Sequence, residues 1–490
     1  MSNLNKKSVL DSVKKAVFDN KVILLFVVMS ILCMLIADTN VAYVASEVAS
    51  RLTRNACIVL ALIIPCMAGL GMNFGIVVGA IAAQISIFWI VHWGFTGITG
   101  FLLTVLMSTP LALLFGWLLG KFFNKTKGAE MIAGLVLGFF AAGVYRLFVL
   151  YIMGGVIPFD DPNLLDRGFG LRNAFDLTGN LKYALDDISF LATMAAIGAV
   201  TLVSNLAISL HAKKNGKAAD PKLAVKLIGS AALLVVGIVG KFIPFVNNIL
   251  GGTRVIMTNG MILLGAILIV LGAVKFLTKS APKSKAITLA VLGVLAIAST
   301  FIPAVAAVYK AVRLPAMTIA IIYLFAGFNT WLVNTRLGQN MRTVGQSRSV
   351  ATSAGINVDK TRVIATCIST VLAAWGQLIF LQNLGTFNTV QQQDNVGLYA
   401  VAAILVGGAN VQKANNKQAI IGVLLFHTLF VVAPLAATKL VGDSAISEYI
   451  RMFFSYGVIT VSLAMHAWKK VAPRKPSAEG QTATMVRPLR

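Results

Sequence analysis

The sequence predicts an all-α, polytopic membrane protein of about fourteen membrane segments, some of them broken or re-entrant, with both termini in the cytoplasm. Three observations carry that reading. Apolar residues fill 58% of the 490 positions and charged residues only 12%, with a mean hydropathy of +0.84, a composition suited to lipid rather than water as solvent. Runs of about twenty mostly apolar residues, enough helix to cross a hydrocarbon core of roughly 30 Å, recur from Lys21 almost to the end. The basic residues fall into alternate loops, as the positive-inside rule requires.

In chain order the runs are 21–37, 55–70, 72–93, 98–120, 129–153, 188–210, 223–246, 257–276, 286–309, 314–334, 363–384, 396–411, 418–437 and 449–468. None alternates apolar with polar residues as a membrane-spanning β-strand would. With the N-terminus inside, most of the 42 basic residues share one side: Lys6 to Lys21, Lys121 to Lys127, Lys213 to Lys226, Lys275 to Lys285, Arg336 to Arg362, Lys413 and Lys417, and the tail. The opposite face takes acids, among them Asp160, Asp161, Asp166, Asp176, Asp186 and Asp187. The net charge of +25 therefore reports topology and a surface facing anionic membrane lipid, and nucleic acid is not expected as a partner.

The chain divides into a cytoplasmic segment 1–20, membrane helices 21–211 with an extracytoplasmic loop 154–187, apolar helices 212–313, membrane helices 314–468 with a cytoplasmic loop 335–362, and a basic cytoplasmic tail 469–490. No small-residue cleavage site follows the first run, which reads as a retained span. The second and third runs form one apolar stretch interrupted by Pro65, Gly69, Gly71 and Gly75. Backbone freed at membrane depth needs protein or a water-lined cavity to satisfy it, so this is either a pathway element beside Asn73 or a tight hairpin. Gly407 and Gly408 make a second break after run twelve. Segments seven to nine are nearly pure aliphatic scaffold.

Several chemistries are missing. No GxxxxGK[S/T] occurs, so ATP is handled elsewhere; no GxSxG or HExxH motif occurs either, and catalysis and metal binding are not expected. Cys33, Cys57, Cys66 and Cys367 lie in apolar runs without ligand spacing and read as small core residues. His92, His211, His427 and His466 are expected as anchors near segment ends. Acids are nearly absent from the spans, Glu130 alone coming close, which disfavours an ion-driven carrier. Lys241 is expected to snorkel; Arg146 is expected to pair with a loop acid or contact cargo.

One stretch is out of place among these runs: Asn340 to Lys360, polar, basic and rich in small residues. Ser347 or Ser349 supplies an N-cap and Gly355 a stop, predicting a brief surface helix that another protein can approach closely. Here the sequence resembles the permease subunits of bacterial ABC importers for ribose, other simple sugars and nucleosides, the branch that includes branched-chain amino acid permeases. The matching residues are Thr335, Arg336 and Gly338; Val344 and Gly345; Ala351; and Gly355, Ile356, Asn357, Val358 and Asp359. Weaker likenesses lie at Asn73, Phe74 and Gly75 and at Ala403 to Asn410, and the resemblance extends over Asn55 to Tyr151 and Leu314 to Trp468. The chain departs from the pattern at Ser349, where members carry an acid, and in the segment after Gly408.

The resemblance implies a permease subunit in the bacterial cytoplasmic membrane whose loop 335–362 couples to a separate ABC ATPase, the partner that binds ATP and Mg. Arg336, Gly338, Val344, Gly345, Ala351, Gly355, Ile356 and Asp359 become coupling candidates. Asn73, Phe74, Asn329, Trp331, Trp375 and Gln377 become candidates for the solute route. A second permease subunit, identical or paralogous, and an extracytoplasmic solute-binding protein are the other implied partners, and helices 212–313 an insertion. The rival readings are a stand-alone secondary transporter or channel and a membrane scaffold without transport.

Overall fold

In lipid every backbone amide must be satisfied within the segment that carries it, and the apolar runs accordingly fold as helices. A computed structural model describes residues 21–158, 161, 170–214, 223–277, 282–410, 413–443, 446, 449–453, 456–457 and 460–461. The expected cytoplasmic segment 1–20, the tail 469–490, Asp160, Asp166 and His466 lie outside the described residues, as does the His211 side chain.

The first half of the core consists of α1 (Lys21–Ala37), α2 (Val41–Ala61), the single turn α3 (Ile63–Met67), α4 (Ile76–His92), α5 (Gly97–Lys125) and α6 (Glu130–Leu147). The second half consists of α13 (Ala316–Val333), α14 (Arg336–Gln346), α15 (Arg348–Ser353), α16 (Val358–Leu384), α17 (Gln392–Val406) and α18 (Asn416–Val441). Helix α16 sits at the centre, packed on α5, α2 and α4, while α18 packs on α1, α2 and α17. Between the halves lie α7 (Phe190–Lys214), α8 (Leu223–Val239), α9 (Pro244–Leu250), α10 (Met257–Leu277), α11 (Lys283–Ser299) and α12 (Pro303–Ala311). Here α7 pairs with α8 and α10 with α11, and this unit meets the core mainly where α12 packs on α2 and α7 on α13.

Among the described residues eight helices are long and apolar enough to cross a membrane, nine if α11 and α12, bent by 86°, count as one span. Shorter apolar helices at Lys21–Ala37, Ile76–His92 and Leu227–Phe242 account for further runs without reaching the expected fourteen, and 449–468 is described only in part. One boundary is corrected outright. The run read as 55–70 belongs to a span from Val41 to Met67; Glu47, Arg51 and Arg54 made its first turns look like loop, but they are helical.

A π-helical turn (Phe148–Ile152) extends α6, a 3-10 turn (Gly240–Phe242) follows α8, and four three-residue strands are also described. Strand β1 (Ala174–Asp176) pairs antiparallel with β4 (Thr386–Asn388), and β2 (Arg254–Ile256) with β3 (Arg313–Pro315). The first ladder folds part of the loop 154–187 onto the end of α16, with the Phe175 and Phe387 rings 4.7 Å apart and tilted by 60°. Asp186, buried in the same loop, accepts from Gln382 at 2.9 Å, Asn383 at 2.6 Å and Thr318 at 2.5 Å. At the exposed Asp176, the hydroxyl and amide of Thr178 hold the carboxyl below its ordinary range.

Small residues let the central helices touch backbone to backbone. A Cβ at Gly116 would stand 2.8 Å from Cys367 Cα, and one at Gly120 2.9 Å from Val363 Cα. Nothing lies within 4 Å of the same point on Gly143 of α6. Gly116→Leu should therefore destabilise the protein by about 1–3 kcal/mol through overpacking, while Gly143→Leu leaves stability unchanged, as read by thermal unfolding in detergent.

Candidate functional site

The break after α3 is built from residues that only this backbone path requires. Gly69 and Gly71 have φ of 72° and 76°, in the region open to glycine but costly for other residues. Asn73 accepts from the Gly75 amide at 2.9 Å and so starts α4 with an Asx turn. The carbonyls freed where α2 ends are also satisfied: Asn329 donates to Leu60 O at 3.0 Å and Ser369 to Ala61 O at 2.9 Å.

Onto this break sits the polar segment between α13 and α16. Thr335 caps α14, its hydroxyl accepting from the Gly338 amide at 3.2 Å. Ser347 caps α15, and Gly355, with φ of 75°, ends the turn after it. Val344 and Ala351 are buried on the inner side. Gly345 and Gly69 meet face to face: a Cβ on Gly69 would fall 2.8 Å from Gly345 Cα, and one on Gly345 only 2.3 Å from Met67 O. The outer side of α15 carries exposed Ser349, Thr352 and Ser353 and Val350, which is 59% exposed.

A buried charge cluster locks the same segment laterally. Glu130, at the start of α6, pairs with Arg348 of α15 and with Arg362 of α16; Arg362 is fully buried and also donates to Phe123 O at 3.2 Å. Next to it Lys127 pairs with Asp359 at 2.9 Å, and Asn124 donates to Asp359 O at 2.9 Å. A cavity of about 500 Å³ lies between the break, the α5–α6 turn and the α14–α15 junction.

Two larger cavities flank the closed region around Leu60 to Leu62. The one of about 680 Å³ at the α14 end is lined by asparagines, including Asn329, Asn334, Asn410 and Asn416. The one of about 560 Å³ at the opposite end is lined by Arg51, Arg54, Phe380, Asn395, Tyr399 and His427. From Arg51 to Ile63, which lines the first, the helical rise is about 18 Å.

The coupling candidates come together. Val344, Gly345, Ala351 and Asp359 form the contacts just described, Gly338 is buried under the Thr335 cap, Ile356 is half-buried, and Arg336 and Gly355 are exposed. The route candidates do not share a cavity. Asn73 is buried within the break and Phe74 half-buried beside it, Asn329 lines the α14-end cavity, and Trp331 is 61% exposed on the outer surface. Trp375 donates to Thr109 Oγ1 at 3.0 Å. Gln377 is fully buried with its amide unpartnered among the described residues, as is Gln84 on α4.

Other expectations resolve plainly. Arg146 pairs with an acid, as expected, but the acid is Asp394 in the first turn of α17 rather than in a loop; it also donates to Val390 O at 3.0 Å. Cys57 and Cys66 are buried. His92 meets Asp161 at 3.1 Å, but His427 is corrected: it lies inside α18, buried, rather than at a segment end.

Sequence reasoning missed Glu130, Arg348 and Arg362 as a unit, and Arg51, Arg54 and His427 as cavity lining. The available signal was the ionisable residue inside a span, which lipid penalises unless something is gained. Removing Glu130 strands Arg362, so Glu130→Ala should cost about 3–5 kcal/mol, the price of breaking a buried ion pair. The double variant Glu130→Ala/Arg362→Met should recover part of that loss, measured by chemical unfolding in detergent.

A stretch of 117 residues is 29% identical to the xylose transport system permease protein XylH of Haemophilus influenzae, covering 24% of this chain and 30% of that protein. A stretch of 143 residues is 28% identical to the nucleoside ABC transporter permease protein NupC of Lactococcus lactis, covering 29% of this chain and 43% of that one. The chain thus matches less than half the length of either relative. No solved structure matches it. The model of the family described as branched-chain amino acid transport system / permease component matches residues 184–463, more than half of the chain, and the protein belongs to that family of multi-pass membrane transport subunits, which are not enzymes.

Proposed function

We propose that the chain is the transmembrane subunit of an ATP-binding cassette importer, moving a small polar solute, a simple sugar or nucleoside, inward across the bacterial cytoplasmic membrane. A separate subunit hydrolyses ATP with Mg. A second permease subunit completes the route, and an extracytoplasmic solute-binding protein delivers to it. The family supports the transport role, and the names of the two relatives support the solute class.

The observation that carries the coupling role is the seat of α14–α15. Its inner side is fixed to the broken span by the Gly69–Gly345 contact and to α6 and α16 by Glu130. Its outer side leaves Ser349, Val350, Thr352 and Ser353 exposed, small enough for a partner to reach the backbone. A push on that face has little slack to take up before it reaches α3, because close-packed interiors transmit strain. Movement there would reopen or close the region between the two cavities, with Asn329 reporting the change at the α14 end. In this orientation α14–α15 faces the cytoplasm and the Arg51 cavity faces outward.

Replacing Ser349 or Val350, both on the exposed side of α15, with tryptophan should leave the fold of the chain unchanged and lower solute-stimulated ATP hydrolysis by the complex about 5- to 150-fold, the range of coupling free energies of 1–3 kcal/mol. Unchanged stimulation in proteoliposomes would contradict the coupling role. Ion-driven uptake by vesicles holding this chain alone would favour the secondary-transporter reading.

A further inference from the structure

We infer that the cavity at the Arg51 end of α2 accepts a solute bearing an anionic group, a carboxylate or a phosphate, on a body the size of a pentose or nucleoside. The inference rests on the importer reading and narrows its solute class.

Arg51 and Arg54 lie three residues apart on one face of a span, and both line the cavity. Charged side chains in a span are rare and mark substrate or ion routes. Among the described residues a single ion pair compensates the two charges: Glu47 Oε2 stands 3.8 Å from the Arg51 Nε, too far for a hydrogen bond, and that buried nitrogen has no hydrogen-bond partner among them. Arg54 spends its Nε on the neutral Asn383 amide at 3.0 Å. Asp186 lies behind that amide, occupied by Thr318, Gln382 and Asn383. Among the described residues no acid lines the cavity.

Three further features describe the rest of the ligand. His427, 2% exposed, lines the cavity, and neither of its ring nitrogens has a hydrogen-bond partner among the described residues; in the neutral ring these are one donor and one acceptor. Phe380 and Tyr399 supply ring surface, with Arg54 over Phe380 at 5.9 Å and Arg51 over Phe430 at 5.0 Å. Asn395, Gln391 and Gln392 add amides suited to hydroxyl groups. A neutral sugar would leave two guanidinium groups facing one paired acid, Glu47, whereas a carboxylate or phosphate meets them with charge-assisted, bidentate bonds.

The test is calorimetric titration of the full chain in nanodiscs with matched pairs: xylose and xylonate, ribose and ribose 5-phosphate, uridine and uridine monophosphate. At least one anionic member should bind about tenfold or more tightly than its neutral counterpart, and the pairs separate carboxylate from phosphate. Arg51→Ala and Arg54→Ala should each reduce that preference, weakening the anionic member more than its neutral counterpart, and Arg51→Lys, which preserves charge, should retain part of it. Equal or tighter binding of every neutral member, preference that survives both alanine variants, or no binding by any probe would overturn the inference. The two readings fail separately. Neutral-solute stimulation of ATP hydrolysis by the assembled complex, with no anionic preference, removes the charge assignment and leaves the importer standing.

Discussion

The contact between Gly69 and Gly345 is the constraint on which the rest of the architecture turns. A helix does not run unbroken from Leu60 to Gly75, so the carbonyls and amides released there need partners inside lipid. Asn329 and Ser369 bond the Leu60 and Ala61 carbonyls, Asn73 and tight turns bond amides of the break, and the α14 backbone packs against Gly69 at a distance no side chain would permit. The polar segment between α13 and α16 is thus part of the membrane core on one side and solvent surface on the other. Glu130, Arg348 and Arg362 then tie it to α6 and α16, and loss of Glu130 would leave the buried Arg362 charge uncompensated. Flexibility at this point would decouple the surface helix from the spans.

Much of this was legible in the chain itself. The apolar runs announce helices, Ser347 and Gly355 bracket a short one, and the glycines at 69, 71 and 75 mark the break. The long-range pairings were not. Glu130 and Arg348 are separated by 218 positions and Glu130 and Arg362 by 232, and no local pattern joins an acid at one helix start to arginines so far away. The span Val41–Met67 was shortened for a related reason. Hydropathy averages discard polar turns, so Glu47, Arg51 and Arg54 were read as loop, and the cavity they line disappeared with them. His427 was misplaced at a segment end because a lone histidine carries no positional information.

The region between the two halves follows a different logic. Helices α7, α8, α10 and α11 pack as pairs and present large apolar side chains outward, including Val203, Ile228, Val270 and Leu295. Aliphatic surface of this kind is at home against lipid tails, where it needs no protein partner. The β2–β3 ladder and the bend between α11 and α12 return the chain to α13, so the second half resumes beside the first and α16 can fill the centre. This unit adds membrane surface without entering either of the two large cavities.

The central claim is that the outer face of α15 receives a nucleotide-hydrolysing partner. The most direct measurement places a photoreactive amino acid at Val350, on α15, or at Trp93, at the far end of α4, in the native membrane. The account predicts a covalent adduct between position 350 and the ATPase subunit, and none from position 93. An adduct from position 93, or none from position 350 in a membrane where the complex is assembled, would contradict it.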